Sequence, residues 1–285
     1  HYPLRRQRQM CIRDSPHGII DPVFEMSELA LEKRIGFHLD ACMGGFLIPF
    51  LDDFTGINFK ECPGITSISL DTHKYGYSLK GSSVLLMKSW KYKKYQHFIQ
   101  KDWNGGIYAT PTMMGSKSGA LIASTWASML YTGKNEYTRI AKQIQDNVKM
   151  IKEEFRDIEL VSIVGEPNLN IIGMKCWEKN KWRINIYHII EKMKGREWNL
   201  TIMQNPASFH FCLTKLHTKE ICQKFCNDLK ECIDTLKTKD ISERKLTGSV
   251  ALYGTSQGVK EGMFINEVIH DFLFLLSRNK ITDRY

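Results

Sequence analysis

Two β-prone apolar runs in this chain each stop close to a charged residue, and this pairing constrains the fold more than any other feature. The first run, Phe37 to Leu39, ends at Asp40, and the second, Ile65 to Leu70, is followed by Asp-Thr-His and then Lys74. Short apolar runs of this kind predict strands. We therefore predict that Asp40 and Lys74 lie at the carboxyl edge of one sheet, where open α/β sheets bind ligands.

An anion and an amine at neighbouring strand ends are the two groups that pyridoxal phosphate requires of a protein. A carboxylate keeps the ring nitrogen protonated, so that the ring withdraws electrons from the substrate, and a lysine holds the aldehyde as a Schiff base. We assign the first role to Asp40 and the second to Lys74. Burial beside cations lowers the pKa of a lysine, and His73 and Lys80 are the nearby cations. The pattern predicts a pyridoxal-phosphate enzyme.

Each of these residues has a plainer interpretation when it is taken alone. An aspartate after a strand is more often a helix cap or a turn residue, and the dipeptide His73-Lys74 is more often a solvated strand end. Two further segments favour the cofactor interpretation. Gly44-Gly45 permits a close backbone approach, and Lys80-Gly81-Ser82-Ser83 opens the next apolar run.

The run from Thr66 to Ser83 resembles the cofactor-lysine segment of the sphingosine-1-phosphate lyase family, which belongs to the fold-type-I pyridoxal-phosphate enzymes. The resemblance covers about residues 15–275. It continues through the motifs at residues 16–22, 102–112, 115–119, 209–212 and 253–254. Two positions depart from the family pattern, because Leu79 replaces a usual proline and Lys117 replaces a usual arginine. A lysine cannot reproduce a bidentate guanidinium contact, so an anion-binding role at position 117 is in doubt.

The resemblance implies a fold and a domain organisation. The fold is α/β and similar to the fold-type-I pyridoxal-phosphate-dependent transferases, with a mixed sheet in an incomplete large domain and a smaller α+β C-terminal domain. Residues 15–150 would be the C-terminal part of the large cofactor domain, and residues 151–285 the small domain. Residues 1–14 match nothing in the family, and we interpret them as a non-native segment and leave them out of the predicted fold.

The resemblance also implies a reaction and roles for further residues. Similar enzymes cleave a phosphorylated long-chain base between C2 and C3, giving a fatty aldehyde and phosphoethanolamine, and they act as homodimers. By this likeness His73 and Ser116 contact the cofactor phosphate, Ser116 across the dimer, and Lys80 binds the substrate phosphate. His38, Tyr75 and Tyr77 either line the site or are buried structural residues; the sequence leaves both open.

Two other functions stay open at this point. Related amino-acid decarboxylases share the Asp-Ala and His-Lys elements and would use the same Asp40 and Lys74 to release carbon dioxide. The Tyr-Gly-Tyr-x-x-Lys-Gly segment at 75–81 and the Trp-x-Gly-Gly-x-Tyr segment at 103–108 favour the lyase. The second alternative is an inactive remnant or interaction protein.

In family members a membrane-spanning helix and the first half of the cofactor domain precede the part matched here. We therefore expect a truncated chain that binds the cofactor weakly and is inactive alone, with no membrane segment of its own. The full-length protein would be held at the endoplasmic reticulum membrane, with its catalytic part in the cytosol.

Charge and cysteine content exclude other classes. Of the net charge of +9, residues 1–14 contribute +3 through four arginines and one aspartate. The one basic segment with interleaved aromatic residues, Lys88 to Tyr95, predicts a solvated turn and helix start, so we expect no nucleic-acid partner. Cys222, Cys226 and Cys232 lack a histidine at partner spacing, so we expect buried small side chains and no metal site.

The remaining pattern predicts alternating helices and strands. Asp21-Pro22 begins a helix with an apolar face at Leu29 and Ala30, which stops at Gly36 before the first strand. A long amphipathic helix follows from residue 136, with apolar residues at 137, 140, 141, 144, 148, 151 and 155. Further strands are predicted at 37–41, 65–70, 83–87, 160–164, 169–174 and 208–213, and further helices at 184–195 and 217–236.

Overall fold

The structure is a computed structural model, and it describes part of the chain. The described residues are 8–11, 16–54, 56–112, 114–177, 180–240, 246–248, 250, 251, 253, 267, 269–271, 273 and 274. Gly254, which completes one predicted motif, lies outside them. Contacts divide the chain into two compact units, one of His1–Asp157, Ile163–Gly173 and Phe211–Lys224 and the other of Ile158–Ser162, Met174–His210 and Phe225–Tyr285. The proposed domain boundary near residue 150 stays a prediction.

The first sheet has four strands in the order β1-β2-β3-β4. They are β1 (Arg8–Cys11), β2 (Phe37–Asp40), β3 (Ile65–Leu70) and β4 (Val84–Met87). The pairs β1–β2 and β2–β3 are parallel, and β3–β4 is antiparallel. The three strands predicted in this region are confirmed to within a few residues, and the sheet is mixed as expected.

Strand β1 corrects one feature of the predicted fold. It lies within residues 1–14, which the prediction left out, yet its four residues pair with β2 from Arg8 opposite Phe37 to Cys11 opposite Asp40. A parallel ladder is made by backbone groups alone, so a segment without the family's residues can still occupy a strand position. The non-native origin of residues 1–14 stays a prediction.

Helix α1 (Val23–Glu32) starts after Pro22, which occupies the N-cap position, and buries Val23, Ser27 and Ala30. The predicted apolar face is therefore right for Ala30 and wrong for Leu29, which is 50% exposed. The reason is a close approach at Gly64, whose N–H donates to Ser27 Oγ at 2.9 Å. A Cβ at Gly64 would lie 2.0 Å from the Ser27 carbonyl oxygen, so the small-residue face of the helix turns inward.

A one-turn helix and a hairpin follow the first sheet. Helix α2 (Trp90–Lys93) has no buried residue, which confirms the solvated helix start predicted there. Strands β5 (Phe98–Gln100) and β6 (Tyr108–Thr110) form an antiparallel pair that the sequence did not predict. Single 3₁₀ turns cover Gly44–Phe46, Ile48–Phe50, Asp52–Phe54 and Lys94–Gln96.

Helix α3 (Gly119–Glu154) is interrupted at Gly133, where φ is 63° and ψ is 167°. The part after Gly133 confirms the predicted amphipathic helix, since the side chains of Tyr137, Ile140, Ala141, Ile144, Val148 and Ile151 are buried. Phe155, the seventh predicted position, is buried just beyond the helix. The part before Gly133 extends the helix toward the N-terminus beyond the predicted start.

The second sheet has the order β7-β8-β10-β9. Its strands are β7 (Val161–Ile163), β8 (Ile171–Cys176), β9 (Thr201–Met203) and β10 (Ser208–Cys212), and the helices that follow β8 and β10 are α4 (Ile186–Lys194) and α5 (Lys219–Thr238). All were predicted except β9, whose three residues are too few to show an alternation. Cys222, Cys226 and Cys232 of α5 are buried, as expected. None of the described helices is long and apolar enough to cross a membrane.

Candidate active site

Strand alternation gives the first sheet one polar face near its carboxyl edge. Phe37 and Leu39 of β2 are buried, whereas His38 and Asp40 point to the opposite side. His38 is paired with Ser67 of β3, and Asp40 with Ser69. All four polar side chains therefore lie on the same face, where β2 and β3 end.

A hydrogen-bond network fixes these four side chains. His38 Nδ1 lies 2.8 Å from Ser67 Oγ, and His38 Nε2 lies 3.0 Å from Ser69 Oγ. Ser69 Oγ donates to Asp40 Oδ1 at 3.3 Å, so its oxygen accepts from His38 Nε2–H and His38 Nδ1 accepts from Ser67. Burial lowers the pKa of His38, although the charge of Asp40 opposes this. A neutral His38 therefore bridges Ser67 and Ser69, and through Ser69 it orients the carboxylate of Asp40.

Lys74 lies in the turn after β3, and its ammonium Nζ is 2.9 Å from Asp71 Oδ2. Burial alone would lower the pKa of Lys74, but hydrogen bonds to Asp71 and Cys42 and the charges of both outweigh it, so the pKa is raised. The expected lowering by His73 and Lys80 is therefore wrong. The physical reason is that the turn brings a carboxylate, three residues earlier in the chain, against the amine.

Cys42 connects the two segments that the sequence singled out. Its backbone N–H donates to Asp40 Oδ1 at 3.1 Å, and its side chain helps to raise the pKa of Lys74. Asp40 and Lys74 therefore share Cys42 as a neighbour, a residue to which the sequence analysis did not assign a role. The sequence feature that could have pointed to Cys42 is its position two residues after Asp40, where the chain leaves β2.

The segment from Asp71 to Ser82, here called the lysine turn, closes on itself. His73 Nδ1 lies 2.8 Å from the carbonyl oxygen of Ser82 and donates to it. The Ser78 N–H donates to the Thr72 carbonyl at 3.1 Å. Lys74 thus lies between the anchored ends of a short closed loop.

Two side chains of α3, those of Ser128 and Tyr137, bind the middle of the lysine turn. Ser128 Oγ donates to the carbonyl oxygens of Gly76 and Tyr77, at 3.2 and 3.0 Å. Tyr137 OH donates to the same Gly76 carbonyl at 2.9 Å. The interruption at Gly133 separates these two donors, so both parts of the helix reach one carbonyl. Sequence reasoning missed these residues because a hydroxyl on a helix gives no local sign of its partner.

The structure distinguishes the two predicted tyrosines. Tyr75 is buried; its OH donates to the Leu213 carbonyl at 2.6 Å and accepts from Asn170 Nδ2 at 2.6 Å, which favours the structural interpretation. Tyr77 adopts a positive φ of 55°. Burial raises the pKa of Tyr77 to about 12, and Lys215 Nζ lies 4.1 Å from its ring centroid.

Lys80 and Ser116 are exposed and have no side-chain hydrogen bond to another described residue. The structure does not bring either of them against Asp40 or Lys74, and their phosphate-binding roles stay predictions. Gly45 serves packing, since a Cβ there would lie 2.6 Å from the Leu70 Cβ. Within the described part of the chain, no group of three or more histidine, cysteine, aspartate or glutamate residues could hold a metal ion.

The side chains gathered here fit pyridoxal phosphate chemically. Asp40 offers a carboxylate that backbone and hydroxyl donors already orient, and Lys74 offers an amine that reaches the same residue, Cys42. An anion for the ring nitrogen and an amine for the aldehyde are the two groups the cofactor needs from the protein.

The fold is that of the fold-type-I pyridoxal-phosphate-dependent enzymes. A sphingosine-1-phosphate lyase from Burkholderia pseudomallei superposes with a TM-score of 0.73 at 33% identity, over 80% of this chain and 52% of that chain. A glutamate decarboxylase from Lactobacillus brevis has a TM-score of 0.69 at 16% identity, over 82% of this chain and 56% of that chain, and shows the shared fold alone.

In sequence, the chain is similar to sphingosine-1-phosphate lyases. It is 39% identical to sphingosine-1-phosphate lyase 1 of Rattus norvegicus over 264 residues, which are 90% of this chain and 45% of that protein. It is 36% identical to the sphingosine-1-phosphate lyase of Dictyostelium discoideum over 263 residues, or 90% of this chain and 48% of that protein. The chain therefore spans about half the length of these curated relatives. No family model matches the chain.

Proposed function

We propose that this chain carries the cofactor lysine and the cofactor carboxylate of a pyridoxal-phosphate-dependent carbon–carbon lyase that acts on phosphorylated sphingoid bases. The observation that carries the proposal is that Asp40 and Lys74, at the ends of neighbouring strands, share Cys42 as a neighbour. The sequence similarity to sphingosine-1-phosphate lyases supports the substrate and the products, a fatty aldehyde and phosphoethanolamine.

When it is bound, pyridoxal phosphate supplies an electron sink for the charge left on the substrate when the C2–C3 bond breaks. Asp40 would hold a proton on the ring nitrogen, because an adjacent carboxylate favours the charged form of that nitrogen. Cys42 N–H and Ser69 Oγ keep Asp40 Oδ1 in place. The role of this end of the sheet is to hold a negative charge at a fixed position.

Lys74 holds the cofactor aldehyde, and Asp71 holds the lysine before the cofactor arrives. Attack on an aldehyde needs the neutral amine, so Lys74, whose pKa is raised, would have to lose its proton in order to hold the cofactor. His73 donates from Nδ1 to Ser82, and we assign its Nε2 to the cofactor phosphate. Ser116 is the second assigned phosphate contact.

Lys80, which is exposed, is the group that we assign to the substrate phosphate. A lysine presents a compact charge to a phosphate without requiring bidentate geometry. Lys117 is exposed as well, and we assign it no role because a lysine cannot replace the bidentate contact of the usual arginine.

The first prediction concerns Lys74. In a full-length protein that contains this chain, incubation with pyridoxal phosphate followed by borohydride reduction should leave the pyridoxyl group on the peptide that contains Lys74, because a Schiff base to that amine is trapped by reduction. Peptide mass mapping measures the position. Lys74→Ala should abolish the label, whereas Lys91→Ala, which removes an exposed lysine of α2, should keep it. Labelling of a different lysine, or of none, would contradict the assignment.

The products of the protein separate the lyase from a decarboxylase. With a phosphorylated sphingoid base, a lyase releases a fatty aldehyde and phosphoethanolamine, whereas a decarboxylase releases carbon dioxide from an amino acid. Aldehyde release without decarboxylation is the expected result for a full-length protein that contains this chain. Decarboxylation alone would replace the lyase with the second candidate.

We also propose a homodimer, with the whole protein located at the endoplasmic reticulum membrane and its catalytic part in the cytosol. Both follow from the likeness to the lyases. The dimer has a second support in exposed apolar side chains on the first part of α3, since large apolar patches mark interaction surfaces. These side chains are Ile122, Trp126, Met129, Leu130 and Tyr131.

A further inference from the structure

Four hydroxyl groups meet where the lysine turn packs on the first part of α3. Thr125 Oγ1 lies 3.0 Å from Ser78 Oγ and 3.0 Å from Ser82 Oγ. It also donates to the Leu121 carbonyl of its own helix at 3.0 Å. Thr72 Oγ1 is hydrogen-bonded to Ser82 Oγ. Together Thr72, Ser78, Ser82 and Thr125 are called the hydroxyl cluster.

The donor and acceptor sites of the four hydroxyl groups place Thr125 at the centre of the hydroxyl cluster. A hydroxyl has one donor and two acceptor sites. With its hydrogen on Leu121, Thr125 accepts from Ser78 and from Ser82, which uses all three sites. Thr72 Oγ1 donates to the Ser82 carbonyl at 3.1 Å and also contacts the hydroxyl groups of Ser82 and Thr125. Ser78 has no hydroxyl contact with Thr72 or Ser82 that would replace Thr125.

We propose that Thr125 is a positioning residue for Lys74: its hydroxyl joins both ends of the lysine turn to helix α3 and thereby fixes where the amine lies. The inference rests on the proposed function only in giving Lys74 the role of cofactor lysine. Thr72 precedes Lys74 by two residues and is 1% exposed. Ser82 carries the carbonyl that holds His73. Thr125 Oγ1 also lies 3.4 Å from Thr72 Oγ1, so residues on both flanks of Lys74 contact this one hydroxyl.

Removing that hydroxyl should loosen the turn without changing its shape. Thr125→Val keeps the volume but leaves Ser78 and Ser82 without their shared acceptor in a half-buried place, which is destabilising. The pair of Lys74 and Asp71 then separates part of the time, and the pKa of Lys74 falls from its raised value toward that of a free lysine. More neutral amine is present at a given mildly alkaline pH, so Lys74 reacts faster.

The test uses the full chain without cofactor and two measurements. Trace acetylation with acetic anhydride gives the rate at Lys74 relative to exposed Lys91 in the same sample. Hydrogen exchange gives the protection of the Ser78 amide, which is bonded to the Thr72 carbonyl. In Thr125→Val we expect the acetylation ratio to rise several-fold and the Ser78 amide to exchange about tenfold faster. Thr125→Ser, which keeps the hydroxyl, should restore both.

Thr138→Val is the matched control. Thr138 lies on the same helix and donates to the carbonyl four residues earlier at 3.0 Å, as Thr125 does, but its hydrogen bond is exposed. Unchanged values in Thr125→Val, equal changes in Thr138→Val, or no rescue by serine would each overturn the proposal. If Thr125→Val does not fold, Ser82→Ala removes one of the two bonds and should shift both values in the same direction.

The two proposals fail separately. Acetylation and exchange do not involve pyridoxal phosphate, so a negative result leaves the pyridoxyl label on Lys74 as it was. A missing label on Lys74 would remove the proposed function, while the effect of Thr125 on the lysine turn would still be measured.

Discussion

In a full-length protein that contains this chain, Asp40→Asn is expected to lower turnover by two or more orders of magnitude. The amide keeps the acceptor that Cys42 and Ser69 use, so the fold should be retained, but the charge that holds a proton on the ring nitrogen is lost. Removing one partner of a buried ion pair costs about 3–5 kcal/mol. Each 1.36 kcal/mol is about a factor of ten in rate.

Three measurements check this prediction. Aldehyde release measures turnover, borohydride labelling of Lys74 shows that cofactor is still captured, and thermal unfolding shows that the fold is intact. Asp146→Asn, which removes an exposed carboxylate of α3, should leave turnover unchanged. Near-normal turnover of Asp40→Asn would place the carboxylate for the ring nitrogen at another residue.

Gly76→Ala should have the second large effect, because the lysine turn has no room for a side chain there. A Cβ at Gly76 would lie 2.4 Å from the Thr72 carbonyl oxygen and 3.0 Å from the Phe46 ring. The Thr72 carbonyl accepts a hydrogen bond from the Ser78 N–H. If this carbonyl moves to make room for the added Cβ, that hydrogen bond breaks and the turn that carries Lys74 opens. We expect the free energy of unfolding to fall by about 1–3 kcal/mol and pyridoxyl labelling of Lys74 to decrease strongly.

The matched control is Gly119→Ala at the start of α3, where an added Cβ meets nothing within 4 Å. Alanine is the better helix former, so the stability of this variant should be unchanged or slightly higher, with normal labelling. Denaturant unfolding and peptide mapping measure both quantities. If Gly76→Ala matched the wild type in both, the tight closure of the lysine turn would not matter for Lys74.

Elements that depend on local pattern could be predicted from the sequence. Ile65–Leu70 is a β-prone run of the length of one strand, and its predicted and observed bounds coincide. The buried stripe from Tyr137 to Ile151 follows the helical period because one face packs inward. Asp40 reaches the strand end for the same local reason, since it is the last residue of β2.

Features that depend on partners distant in sequence could not be predicted. Leu29 is apolar, but the approach of Gly64 to Ser27 decides which face of α1 is buried. Thr125 and Ser128 are unremarkable in a helical pattern until the lysine turn packs on them. Asp71 was visible three residues before Lys74, yet only the closed turn brings its carboxylate against the amine and reverses the predicted direction of the pKa shift.

The interruption of α3 at Gly133 changes what happens when the length of this region changes. In a continuous helix, one inserted residue rotates every later side chain by about 100°, which would turn the buried stripe that starts at Tyr137 out of the core. A joint with a φ of 63° and a ψ of 167° is not bound to the helical period. Insertions or deletions next to Gly133 can therefore be absorbed at this interruption. The part of α3 that precedes Gly133 and the buried stripe that follows it can vary in length independently.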